Sequence, residues 1–496
     1  MGLLESDWWR MAAASVVVAV VASSGLWRAL LLVHQWFHER KLDDDLRRRL
    51  PPGNLGLPFI GNMWAFLRAF KSGAPDSFID SFVQRYGRIG IYKSFMFGSP
   101  TILVTIPETC KQVLMDNENF VTGWPKAAVE LIGKKSFIKL PHEEHKRLRK
   151  LTSAPINGYE ALSTYLKFIE ESVVSALEKW AEIEQVEFLT EVRRLTFRII
   201  MHIFLSTEGD TVIESLERVY TDLNYGMRAM AINFPGFAYH RALKARKKLV
   251  QVLQAALDGR RALRSRGPRK VNDMMDGLIK VEDENGRRLD DEQIIDILIM
   301  YLNAGHESSG HIIMWATTFL QENPECFEKA KAEQEEIRRN LLPTQKGLRL
   351  KDVQKMEYLS KFIDETLRLV NISFVSFRKA TSNVYINGYL IPKGWTVQPW
   401  YRSVHMDAEV YPDPKKFNPS RWDDLVPKAG TFLPFGAGSR LCPGNELAKL
   451  EISVFLHYFL LGYRLERVNP DCPVRYLPHP RPRDNCLARI IKLTTN

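Results

Sequence analysis

The chain has 496 residues, 45% of them hydrophobic and 26% charged, with a formal net charge of +11. That apolar content supports a large core and excludes a disordered chain, while the positive balance suits an acidic partner or an anionic membrane surface; no nucleic-acid recognition module accompanies it. Cys110, Cys326, Cys442, Cys472 and Cys486 form no CxxC pair, which excludes a disulfide scaffold or structural zinc and points to a reducing compartment.

Residues Met11–Val33 (MAAASVVVAVVASSGLWRALLLV) are interrupted only by Arg28. As a helix they span roughly 34 Å, enough to cross a bilayer, with Trp8, Trp9 and Trp27 near the ends. Small residues in Ala19–Gly25 would also suit signal-peptide cleavage, but Glu5, Asp7 and Arg10 do not make the basic leader such a peptide needs. An uncleaved anchor over residues 1–33 is therefore expected. The basic residues Arg28, Arg40, Lys41 and Arg47–Arg49 place the bulk of the chain on the cytoplasmic side.

Residues 34–62 form a basic, stiff link in which Pro51-Pro52-Gly53 leads through Pro58 to Gly61, and residues 63–496 form one globular unit. Gly90–Phe97 and Thr101–Thr105 predict a hairpin closed around Gly98-Ser99-Pro100. From Pro107 to about Glu336 the pattern is mostly helical, broken by a surface loop at Arg266–Lys270. Within it, Pro141–Leu151 places His145 and Arg149 on one helix face, where a solvated basic face is the ordinary outcome. Met227–Lys248 joins an apolar tip (Phe234, Phe237, Tyr239, broken at Pro235-Gly236) to a basic flank, which suits a membrane interface and substrate entrance, or an ordinary helix connection.

Asp290–Asn323 is the longest periodic segment, with Asp290 as its cap and Asn323-Pro324 as its stop. A helix of roughly 48 Å would cross the whole globule. Its middle reads Ala304-Gly305-His306-Glu307-Ser308, and a glycine inside a helix costs about 1 kcal/mol relative to alanine. Small residues at Ala304 and Ser308 would let a flat cofactor approach, with Glu307 and Ser308 supplying an acid and a hydroxyl; a tight helix crossing is the competing explanation. Further on, Glu365 and Arg368 stand three apart on one helix face, and Arg421 lies in FNPSRW. Val384–Trp395 contains Asn387-Gly388, which predicts a type I′ hairpin.

The stretch Phe432–Gly444, FLPFGAGSRLCPG, precedes a long apolar-periodic segment, Asn445–Tyr463. Cys442 thus stands just before a helix N-terminus, where a thiolate is favoured as metal ligand or nucleophile. Gly438 and Gly444 let backbone pass close to a flat object, Phe435 can pack on it, and Arg440 can meet a carboxylate. A haem satisfies all of these: thiolate to iron, arginine to propionate. A dinucleotide loop is excluded because Leu441 occupies the third glycine position after Gly436 and Gly438.

The spacing Phe435-x-x-Gly438-x-Arg440-x-Cys442-x-Gly444, with the Ala304–Ser308 run, the Glu365/Arg368/Arg421 set and the proline-rich link, resembles the cytochrome P450 family in order over about 400 residues. The resemblance implies a mainly α P450 fold with a smaller β-rich lobe, preceded by one transmembrane helix. It implies haem as cofactor with Cys442 as axial ligand. Propionate partners would be His145, Arg149, Arg378 and Arg440, and the cofactor would be lined by Ala304, Phe435, Gly438 and Gly444. Glu307 and Ser308 would deliver protons, and Glu365, Arg368 and Arg421 would form a structural network behind the cysteine loop. Partners would be an NADPH-cytochrome P450 reductase at a basic proximal face and the endoplasmic reticulum membrane. The runs YLNAGHESSGHIIMWAT (301–317), NFPGFAYHRALKARKKL (233–249), GTFLPFGAGSRLCPGNELAKLEISVFLHYFLLGY (430–463) and DNCLARI (484–490) are similar to plant ent-kaurenoic acid oxidases of gibberellin synthesis.

That subfamily implies successive oxidations of a diterpenoid acid towards the first gibberellin. Ser308 stands where the family more often has threonine, and Lys379 and Gln398-Pro399 depart from the pattern near the substrate. A related triterpenoid oxidase shares much of the pattern; a haem-thiolate isomerase or dehydratase would keep Cys442 without needing Glu307 and Ser308, and a haem sensor or carrier would need no long substrate channel or reductase. A buried substrate carboxylate needs a cation or several donors, for which Arg228 and Lys126 are the candidates.

Overall fold

A computed structural model describes residues 2–206, 210–227, 229–264 and 273–493. The first element, α1 (Gly2–Glu39), is one helix that contains the whole Met11–Val33 run. Val18, Val21, Leu32 and Val33 along it are 60–67% exposed. Among the described residues, no helix is long and apolar enough to cross a membrane, so the anchor rests on the sequence pattern. The C-terminal turns of α1 dock on the globule. Glu39 pairs with Lys93 at 2.8 Å in a buried site, and the His34 ring meets Gly56 O at 2.8 Å. The expected stiff link is likewise stitched down, since the Lys93 N–H donates to Pro52 O.

The β-rich lobe begins with β1 (Ile91–Met96) and β2 (Ser99–Val104). Their turn is Phe97-Gly98, at φ +52° and +78°, so Ser99 and Pro100 belong to the strand and not to the loop. The other strands are β3 (Phe120–Thr122), β4 (Arg378–Ala380), β5 (Val384–Ile386), β6 (Tyr389–Ile391) and β7 (Thr396–Pro399). One sheet has the order β1-β2-β7-β4-β3, in which β2 and β7 run parallel; β5 and β6 form the expected Asn387-Gly388 hairpin. Parallel pairing of β2 with β7 joins segments far apart in the chain and fixes β4 beside them.

The helical body is built from α2 (Lys126–Ile132), α3 (His142–Asn157), α4 (Phe188–Leu205), α5 (Asp210–Met227), α6 (Ala238–Arg264), α7 (Asp291–Glu322), α8 (Glu357–Val370) and α9 (Asn445–Gly462). Helix α7 opens on a capping box between Asp290 and Gln293 and is buried along most of its length. A Cβ on Gly305 would lie 3.1 Å from Ile200 Cδ1 of α4, and Thr196 of α4 donates to His306 O at 2.9 Å. Gly305 is therefore small for a close helix crossing, which offsets its propensity cost. Its neighbour Ala304 is exposed in the middle of the helix. The α5–α6 connection exposes Met230 (78%), Phe234 (64%) and Phe237 (46%). Tyr239, expected in that apolar tip, is buried and donates to Glu130 of α2. Arg228 and residues 266–270 lie outside the described residues.

Candidate active site

Two turns and one longer closure fold the loop before α9. The Gly436 N–H donates to Leu433 O, the Leu441 N–H donates to Gly438 O, and the Cys442 N–H donates to Phe435 O at 2.9 Å. Gly438 has φ +70°, and a Cβ there would meet Leu114 O at 2.4 Å, so glycine is required by the backbone of the helix Pro107–Met115. By contrast, nothing lies within 4 Å of a Cβ on Gly444. Asn157, the last residue of α3, holds the far side of the loop by donating to Pro443 O at 2.6 Å. The loop thus presents Cys442 three residues ahead of α9. Burial pushes the Cys442 thiol up, against the opposing pull of the Gly444 N–H and Arg149. A thiol so placed ionises when a cation binds it.

Four cationic or imidazole groups converge on one side of the loop. Burial, then Arg440 and Arg149, drive the His145 imidazole down to about 3. Burial, then Arg378 and Arg149, lower the Arg440 guanidinium to about 10, and burial lowers Arg378. Among the described residues, no ion pair joins a carboxylate to Arg149, Arg378 or Arg440; the one hydrogen bond of Arg440 is a long 3.5 Å contact to Phe137 O. The Phe137 ring lies between His145 (5.3 Å) and Tyr301 of α7 (5.8 Å), so cluster, cysteine loop and α7 adjoin. Arg378 is buried and Arg149 and Arg440 are half-buried, and without an acid among them the three suit an external dianion or pair of anions.

On α7, Ala304 is exposed and Ser308 half-buried, with the Ser308 hydroxyl donating to Ala304 O at 2.8 Å. Glu307 is turned aside to α4, where it forms an ion pair with Arg193. Burial alone would raise its carboxyl, but Arg193, with His306 and His311 adding to it, holds Glu307 at about 2. Glu307 and Ser308 are therefore adjacent but face different neighbours, and Arg193, which no sequence motif marks, decides where the acid points.

Behind the loop, Glu365 accepts from Arg368 (2.8 and 2.9 Å), Arg421 (2.9 Å), Trp422 (3.2 Å) and the Asn418 N–H (3.0 Å). Glu365 and Arg368 have fully buried side chains, and Arg368 also donates to His405 O and Pro414 O. His405 extends the network to the cysteine loop: the Leu433 N–H donates to its Nε2 at 2.8 Å, so Nδ1 carries the proton donated to Asn371 Oδ1. Burial, then Arg368 and Arg402, lower the His405 imidazole to about 3, which keeps it neutral for this bridging role. Sequence reasoning missed His405 because its partner is 28 residues away.

A family model described as cytochrome P450 matches residues 51–480. The chain belongs to the cytochrome P450 family. It is 65% identical to ent-kaurenoic acid oxidase of Oryza sativa subsp. japonica over 98% of this chain and 96% of that protein. It is 48% identical to beta-amyrin 11-oxidase of Glycyrrhiza uralensis over 99% of this chain and 100% of the other. Retinoic acid-bound cyanobacterial CYP120A1 superposes with a TM-score of 0.79 at 25% identity, covering 90% of this chain and 99% of that one. The chain is accordingly a P450 monooxygenase with haem as cofactor, which takes electrons from a redox partner.

The residues present fit that cofactor. The acid-free cluster of Arg149, Arg378, Arg440 and His145 suits the propionates, and exposed Ala304 with open Gly444 leaves faces on which a flat ring can lie. Cys486 stands elsewhere. It is 1% exposed behind α7, with Thr318 3.8 Å from its sulfur, and burial raises its thiol to about 11. Of the carboxylate candidates, Arg228 lies outside the described residues. Lys126 is 81% exposed and faces Glu130, a surface pair and not a cation aimed inward.

Proposed function

We propose that this P450 oxidises ent-kaurenoic acid in successive steps towards the first gibberellin, with Cys442 as the haem ligand. The observation that carries the substrate reading is the 65% identity to the rice ent-kaurenoic acid oxidase along nearly both whole chains, against 48% to the beta-amyrin oxidase. Cys442 carries the ligand reading because it alone among the cysteines adjoins the arginine cluster. When bound, the haem supplies reductive activation of O2 and insertion of one oxygen atom into a C–H bond.

The chain's own residues do the rest. Arg149, Arg378, Arg440 and His145 would hold the propionates by charge-assisted hydrogen bonds. The Gly444 N–H and the start of α9 favour the thiolate form of Cys442. Ala304 would leave room for the cofactor, Ser308 would present a hydroxyl beside it, and Glu307 would take a proton-relay position once it leaves Arg193. Helix α1 anchors the enzyme in the endoplasmic reticulum membrane, the apolar Met230–Phe237 segment faces the bilayer, and an NADPH-cytochrome P450 reductase docks on the basic proximal face.

Reconstitution with reductase, NADPH and O2 tests the substrate reading, with ent-kaurenoic acid and beta-amyrin offered in parallel. Gibberellin formation from the acid is expected; turnover of beta-amyrin alone overturns it. Cys442→Ser should remove the reduced carbon monoxide band near roughly 450 nm, which reports axial thiolate, while Cys486→Ser keeps it.

A further inference from the structure

The last turns of α1 and the segment after it are fastened to the β-rich lobe every few residues. The Glu39 carboxylate pairs with Lys93 of β1 at 2.8 Å, and both residues are buried. Gln35, one turn back, donates to the other Glu39 oxygen at 3.1 Å. The buried His34 ring meets Gly56 O at 2.8 Å, and the His34 and His38 rings pack on Phe95 of β1 at 4.7 and 5.2 Å. Beyond the helix, Arg47 donates to Leu42 O at 3.2 Å and the Leu390 N–H donates to Arg49 O at 2.7 Å. Leu42 and Leu46 pack on the core that holds Leu50. Gly53 lies hard against the same strand: at φ +145°, a Cβ there would meet Lys93 O at 2.1 Å.

As a free coil, the stretch from Arg40 to Gly61 would let its ends wander by roughly 25 Å. These attachments remove that freedom. A buried ion pair adds little net stability, because desolvating both charges offsets their attraction, but it is demanding about geometry. Tilting or sliding α1 would part Glu39 from Lys93 inside a dry site. Exposed apolar side chains flank the joint: Trp36 and Phe37 on α1, with Arg40 over both rings, and Phe59 and Ile60 between Gly56 and Gly61. Aromatic rings beside an arginine suit the headgroup level of a bilayer, and they share one level only if the joint is fixed.

We propose that the Glu39–Lys93 pair is a lock that makes α1 and the catalytic domain one rigid body, so that the tilt of α1 sets the angle at which the domain meets the membrane. This rests on the reading of α1 as a membrane anchor. Removing one partner leaves a buried charge unmatched, and lifting the end of α1 off β1 returns that charge to water.

Full-length holoprotein in oriented phosphatidylcholine bilayers provides the test. Linear dichroism of the haem Soret band reads the angle between haem and membrane and how narrowly it is distributed. Wild type is compared with Glu39→Ala, Lys93→Met and the double exchange Glu39→Lys with Lys93→Glu. Asp45→Asn, which breaks the exposed pair with Arg49, is the control. Each is first shown to give the wild-type carbon monoxide spectrum, and Glu39→Gln replaces either single variant that does not. Resistance to alkaline carbonate extraction reports the anchor independently. Wild type and the control should share one strong dichroism, the single variants should lose most of it, and the double exchange should regain it. Single variants that keep the wild-type dichroism, or a wild type that resists carbonate yet shows no dichroism, overturn the lock and leave the anchor reading intact. A double exchange that regains nothing assigns the joint to packing and also overturns the lock. Release of wild type by carbonate overturns both.

Discussion

Glu451, nine residues beyond Cys442 on α9, is 1% exposed, and burial raises its carboxyl to about 8 from its ordinary 4.5, with Ser309 of α7 opposing. The folded enzyme therefore keeps this acid protonated at neutral pH, while the unfolded chain releases the proton above pH 4.5. A raised folded value means stability that is fully present below 4.5 and declines as pH rises to about 8, at about 1.36 kcal/mol per pH unit. Glu451→Gln is the neutral isostere and has no proton to lose in either state. Its advantage over wild type should grow by about 3 kcal/mol between pH 5 and pH 7.5. For a chain of this size, 1 kcal/mol moves Tm by about 1 °C, so the difference in Tm should widen by about 3 °C. The assay is thermal unfolding of both holoproteins at one scan rate, followed by haem absorbance and intrinsic fluorescence, at several pH values. Comparing differences across pH cancels any fixed packing effect of the amide. A Tm difference independent of pH would show that Glu451 is ionised in the fold and refute the reasoning.

Glu365→Gln strips one charge from a buried network and leaves Arg368 and Arg421 unmatched. A loss of about 3–5 kcal/mol and low haem incorporation are expected in urea titration and pyridine haemochrome assays. Gly438→Ala forces a Cβ towards Leu114 O at a positive φ, so it should destabilise by more than about 1 kcal/mol, whereas Gly444→Ala, with open space around it, should cost far less. Arg193→Met frees Glu307 from its ion pair, leaving burial to raise the carboxyl from about 2 into the range where it exchanges protons near neutrality; the pH profile of coupling should shift upwards relative to wild type. Glu307→Gln with Ser308→Ala should retain carbon monoxide binding while diverting NADPH to hydrogen peroxide; unchanged product per NADPH would leave helix packing as the role of both.

Local chemistry was readable wherever a motif closes within a few residues. The α7 cap at Asp290, the Asn387-Gly388 hairpin and the Glu365/Arg368 pair all depend on short-range geometry, and each stands where its spacing put it. Long-range contacts decided the remainder. Gly305 answers to Ile200 on α4, and Gly438 to Leu114, so neither glycine is explained by its own segment. The direction of Glu307 is set by Arg193, 114 residues earlier, and the electrostatics of Arg378 and Arg440 by burial against one another. His405 becomes a bridge to Leu433 only because the loop folds over it. Hydrophobic periodicity and turn chemistry act over one or two turns of chain, so the residue order carries them. Burial, charge pairing and unpartnered polar atoms are sums over neighbours from distant segments, and those neighbours exist only once the helices have packed.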